Sequence, residues 1–193
     1  SKRVEIARLG IHGYCTSAIV MARGTYCIVD QVRIHNTYNT EHAFILENCW
    51  NTRISNIHFT ATGNNAASGY TPPAGLACMW IGVFNGGLMV ENMITSSTND
   101  YGILMEGFQG KGAAQYFHGL TIQGHSEVGV YLRNNSSGPT FVHGLFTESC
   151  KISMRLGDAA GSQVARGIHL SGCSFATSTS TNKGYAPLWL DYV

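Results

Sequence analysis

The chain has 193 residues, of which only 12% are charged, and its formal net charge is +1. That length suits one domain around a continuous core. With so little charge and no basic run, a nucleic-acid surface is not expected, and no apolar run approaches the length of a bilayer span.

Taken in order, the chain repeats one short pattern. It begins at Ile6-Ala7-Arg8-Leu9-Gly10-Ile11 and returns as Val29-Asp30-Gln31-Val32-Arg33-Ile34. The clearest copy is Ile54-Ser55-Asn56-Ile57-His58-Phe59, followed by Val90-Glu91-Asn92-Met93-Ile94-Thr95 and Phe117-His118-Gly119-Leu120-Thr121-Ile122. Val142-His143-Gly144-Leu145-Phe146-Thr147 and Ala165-Arg166-Gly167-Ile168-His169-Leu170 complete the series. Ile54 and Ile57 are three apart, so they cannot share one face of an unbroken strand, whose side chains alternate with period 2. They can share it if the residue at Asn56 turns left-handed, which Asn and Gly do at least cost. The pattern therefore predicts strand, bend, strand, with Arg8, Gln31, Asn56, Asn92, Gly119, Gly144 and Gly167 at the bends.

Each copy is followed by a further apolar stretch: Ile19-Val20-Met21, Phe44-Ile45-Leu46, Ile81-Gly82-Val83, Ile103-Leu104-Met105, Val130-Tyr131-Leu132, Met154-Arg155-Leu156 and Leu188-Trp189-Leu190. Three short strands and three corners at a period in the twenties predict a solenoid. The fold class expected is all-β: a single-stranded right-handed parallel β-helix of about seven rungs, filling residues 1–193 as one domain. Leucine-rich repeats share the period, but their Leu/Asn consensus and helix-compatible half are missing. No capping segment is seen at either end, so the chain reads as the middle of a longer β-helix.

The six cysteines show no CxxC or metal-ligand spacing and are expected to be reduced core residues. The pattern puts Cys150 and Cys173 in one column of adjacent rungs. Two corners stand out: the loop 61–75 of the third rung, and Phe108–Ala114, which is glycine-rich but lacks a Walker pattern. No cofactor is expected.

Stacked rungs turn sequence positions into surface stripes. The residue after the last strand of each rung gives Ala22, Glu47, Phe84, Glu106, Arg133, Gly157 and Asp191. Glu47 and Glu106 then lie about two strand spacings apart, roughly 9–10 Å. That separation suits inverting glycoside hydrolysis, with Glu47 and Glu106 as the catalytic pair. Phe84, Arg133, Tyr70, Trp80, Tyr131 and Trp189 are the candidate substrate contacts. The competing reading is a solvated Glu–Arg ladder. The outward column Val20, Ile45, Gly82, Leu104, Tyr131, Arg155, Trp189 is largely apolar, which predicts a subunit interface or a glycan groove. A further outward column, Ala7, Asp30, Ser55, Glu91, His118, His143, Arg166, places Glu91 beside two histidines, an arrangement that suits an acid–base pair or half a metal site.

The ISNIHF pattern with its following GI.L-type strand resembles the right-handed parallel β-helix of the pectin-lyase-like superfamily, and especially phage tailspikes and tail fibres. The resemblance implies a homotrimer in a virion or outside the cell, acting on a bacterial capsule or lipopolysaccharide. Neither a pectate-lyase vWiDH segment nor a polygalacturonase Asp-Asp pair occurs, so pectin chemistry is not expected. Three functions remain: a polysaccharide depolymerase acting by hydrolysis, a non-catalytic segment of a trimeric fibre, and a polysaccharide lyase or epimerase.

Overall fold

The computed structural model describes residues 3–62, 74–83, 85–96, 99–106, 113–133, 138–157, 167–177 and 186–191. Regular structure among them is entirely β. Strands β1 (Glu5–Cys15), β3 (Ile28–Asn39), β5 (Arg53–Thr60), β7 (Met89–Glu91), β10 (Gln115–Gln123), β12 (Thr140–Cys150) and β14 (Ile168–Ser171) lie side by side in one sheet. Strands β8 (Ile94–Ser96) and β15 (Ser174–Thr177) continue β7 and β14 beyond the bend. The second sheet runs β2 (Ile19–Ala22), β4 (Phe44–Glu47), β6 (Ala77–Ile81), β9 (Tyr101–Met105), β11 (Val128–Leu132), β13 (Ile152–Leu156) and β16 (Ala186–Leu190). All neighbours are parallel, each rung pairing with the one before and after it. This is a parallel β-helix, wound in the right-handed sense that crossovers between parallel strands take.

The bends are where the pattern placed them in six rungs. Arg8, Gln31, Asn56 and Asn92 have φ of 54°, 53°, 54° and 51°, and Gly119 and Gly144 have 65° and 67°. The seventh differs. His143 pairs with Ser171 and Phe146 with Ser174, so the residue stacked on Gly144 is Gly172 (φ 61°), not Gly167. The last copy is thus Leu170-Ser171-Gly172-Cys173-Ser174-Phe175, and Ser171 rather than Arg166 follows His143 in its column. Both stretches carry a glycine beside apolar residues, and only strand pairing chooses between them. The same shift separates the two cysteines: Cys150 faces Thr177, and Cys173 stacks on Leu145. All six thiols are free.

Inward side chains form columns that run through the rungs. Ile54, Ile57 and Phe59 are sealed from solvent, and so are Val29, Val32 and Ile34 below them. Leu46, Ile81, Met105 and Leu132 face them from the second sheet. Full burial of each such side chain is worth about 1.5–3 kcal/mol. No rung can hide its apolar face alone, so the energy is gained only on stacking. Leu170, Leu188 and Leu190, which the repeat pattern places at inward positions, stay 36%, 37% and 55% exposed, because no described strand stacks beyond β14 and β16.

Candidate functional site

The third rung carries the main departure from the sequence reading. Leu46 pairs with Ile81 and Ile45 with Trp80, so the strand is Ala77–Ile81 and not Ile81–Val83. Trp80 therefore takes the outward place expected for Gly82, and the column reads Val20, Ile45, Trp80, Leu104, Tyr131, Arg155, Trp189. A shift of two residues preserves the in–out alternation, so alternation could not detect it. Gly82 moves into the neighbouring column, between Glu47 and Glu106. Its N–H donates to Leu46 O (2.9 Å), and Glu106 N–H donates to Ile81 O (2.9 Å). The fully buried Asn85 fixes the chain just past this point, donating from Nδ2 to Gly82 O (2.8 Å) and accepting at Oδ1 from Cys49 N–H (2.9 Å). Phe84 and Tyr70 lie outside the described residues.

Glu47 and Glu106 are thus two strand positions apart, with Gly82 between them. The aromatic ring over that gap belongs to Trp80, whose indole edge covers Gly82. Trp80 Nε1 donates to Glu106 Oε1 (2.9 Å), and Arg133 Nη1 donates to Glu106 Oε2 (3.3 Å). On its other side the indole stacks on His42, with ring centres 5.4 Å apart and planes inclined by 2°. Ala77 N–H donates to His42 Nδ1 (3.0 Å), which places the ring proton of the neutral imidazole on Nε2. Burial holds the His42 pKa below its ordinary value, against the pull of Glu106 and Glu41. His42 was not anticipated; it sits at the corner before β4, where no column of the repeat runs.

The far end of the column is built similarly. The Arg155 guanidinium lies 4.9 Å from the Tyr131 ring centre and 6.0 Å from that of Trp189. Arg155 Nε donates to Asp191 Oδ2 (2.6 Å), and Trp189 Nε1 donates to Asp191 Oδ1 (2.7 Å). Cation–π contacts of this kind contribute on the order of 1 kcal/mol and hold the planes in register. In the middle, Leu104 and Tyr131 are only 6% and 7% exposed, packed with Ala77, Val128, Ile152 and Tyr101 in a second small apolar cluster. The outward column is therefore not a continuous open apolar stripe. Trp80 stands on one side of its covered apolar middle and Arg155 and Trp189 on the other, with Val20 and Ile45 beyond Trp80.

On the first sheet, Glu91, His118 and His143 are adjacent in one column, as the pattern implied. Glu91 is engaged by Arg53, whose Nη2 approaches Oε2 at 2.8 Å. The His118 and His143 rings lie 5.1 Å apart, and His143 Nδ1 shares a hydrogen bond with Ser171 Oγ (2.8 Å). Among the described residues no group of three His, Cys, Asp or Glu is arranged to hold a metal ion. Beside them Tyr116, Phe141 and His169 stack plane on plane at 5.1 and 4.7 Å. The stacking ties three rungs together.

No protein-family model, curated protein or solved structure matches this chain.

Proposed function

We propose that the protein is a tailspike-type β-helix that binds a bacterial surface polysaccharide along the outer face of its second sheet and cleaves it by hydrolysis. The observation that carries this reading is Trp80: a half-buried indole, anchored by Glu106 and backed by His42, set between two carboxylates on a rigid sheet. Aromatic rings held flat beside hydrogen-bonding groups suit pyranose recognition, since the ring meets C–H groups and the polar partners meet hydroxyls. Glu47 and Glu106, about two strand spacings apart, leave room for a water between a general acid and a general base. Arg133, Arg155 and Asp191 extend the polar lining along the helix axis.

The test is reducing-end release from capsule or lipopolysaccharide preparations, with retardation in gels containing the same polymer. Glu47→Gln and Glu106→Gln are expected to abolish release while retardation persists; Trp80→Ala is expected to lose both. Unchanged release in both glutamine variants sinks the catalytic assignment. Products absorbing in the ultraviolet would point to a lyase instead.

A further inference from the structure

A second groove lies on the first sheet, over the bends of the first four rungs. Its volume is about 630 Å³, and Arg8, Gln31, Arg33, Asn56, His58 and Asn92 line it. A smaller cavity of about 260 Å³ shares Arg33 and His58 and continues past His35 and Thr60. We infer that this groove is a binding site for an acidic glycan, one whose sugar carboxylates are held by Arg8 and Arg33.

Charge complementarity commits the groove to that occupant. No carboxylate lines it, and among the described residues none pairs with Arg8 or Arg33. The nearby acids already hold partners. Asp30 accepts from Ser55 Oγ (2.7 Å) and Asn56 Nδ2 (2.8 Å), and Glu91 is held by Arg53. In a chain with a formal net charge of +1, two unpaired guanidiniums therefore share one concave surface. Guanidinium forks fit a carboxylate in bidentate fashion.

Gln31, Asn56 and Asn92 add amides to a lining that also includes His58 and the apolar Leu9, Ile57 and Ile94. Asn92 Nδ2 donates to Asn56 Oδ1 (3.3 Å), and Asn56 in turn to Asp30, which leaves each carboxamide a further N–H for a ligand. The ladder is built on left-handed residues, whose side chains the backbone turns outward at the same place in every rung. From Arg8 to Asn92 it spans three strand spacings, about 14 Å, room for a short oligosaccharide lying along the helix axis. This site is on the sheet opposite the Trp80 strip and does not rest on the proposed function.

The test is affinity electrophoresis in gels containing polygalacturonate, heparin or neutral dextran. The double variant Arg8→Asn, Arg33→Gln keeps a residue that tolerates the left-handed bend; Arg33→Glu alone is the second variant, and unchanged melting verifies both folds. Wild-type protein is expected to be retarded by polygalacturonate and not by dextran, with retardation lost at about 0.5 M NaCl. Both arginine variants are expected to weaken polygalacturonate binding at least tenfold, while Trp80→Ala leaves it unchanged. Absence of polygalacturonate binding, binding to heparin alone, equal binding by the arginine variants, or a groove closed by a second copy of the chain in light scattering would each overturn the inference.

Discussion

The indole of Trp80 lies over the backbone of Gly82, in the space a side chain at residue 82 would need. A Cβ there meets Cη2 and Cζ3 of the ring closer than real Cβ contacts come. Gly82→Ala is therefore expected to push the indole off its seat and break its bond to Glu106, with the β-strands intact. A loss of about tenfold in polysaccharide affinity, with a changed tryptophan emission and little change in melting, is the expected result. Unaltered emission and affinity would show that the ring does not depend on that gap.

Acid should loosen the same seat. His42 accepts the Ala77 N–H at Nδ1, which only the neutral imidazole can do. Because its pKa lies below the ordinary value, the contact persists through neutral pH and is lost only when acid protonates the ring. Glycan affinity is expected to fall only once pH drops below the ordinary imidazole range, and His42→Gln should remove that dependence. Titration of binding against pH in both proteins checks it.

His125 predicts a separate acid effect on stability. It is buried between Thr95, whose hydroxyl donates to Nε2 (2.7 Å), and Asn99 O, which accepts from Nδ1–H (3.0 Å). Burial lowers its pKa from 6.5 to about 4. The unfolded chain therefore takes up a proton first as pH falls, so stability present at neutral pH is lost between about pH 6.5 and 4. The loss from this group is on the order of 3 kcal/mol. Denaturant midpoints should show this slope in wild-type protein and a shallower one in His125→Asn.

Leu104 and Tyr131 should behave as core, not as an interface. Leu104→Ala is expected to cost about 2–3 kcal/mol, and charged residues at both positions should unfold the middle rungs. Size-exclusion with light scattering and thermal melting separate this from a folded protein whose assembly alone has changed.

The bends offer a gain. Gln31 holds φ at 53° without the fit of Asn or Gly. Gln31→Gly is expected to stabilise by up to about 1 kcal/mol, and Asn56→Ala to destabilise by about 1–2 kcal/mol. Urea denaturation of the two variants decides whether the left-handed bend is the costly element.

The repeat itself was legible in the residues. Ile54, Asn56 and Ile57 can be reconciled only by a left-handed bend, and six such bends stand where the pattern set them. That legibility has a local cause: backbone conformation at a bend and alternation along a strand are properties of a few adjacent residues. Lateral register is not local. Gly172 in place of Gly167, and Trp80 in place of Gly82, each preserve local pattern and differ only in which neighbour they pair with. The candidate site followed the register. Glu47, Glu106 and Arg133 fell in their column as expected, whereas the aromatic between the carboxylates came from Trp80, and His42 joined it from a corner that no column predicts. By itself the sequence determined a parallel β-helix, its bends and most of its core, because burial and backbone sterics act over short spans. Which side chains meet across rungs, how Trp80 is anchored, and where Arg8 and Arg33 share a groove were decided by tertiary stacking, because those contacts join residues some 25 positions apart.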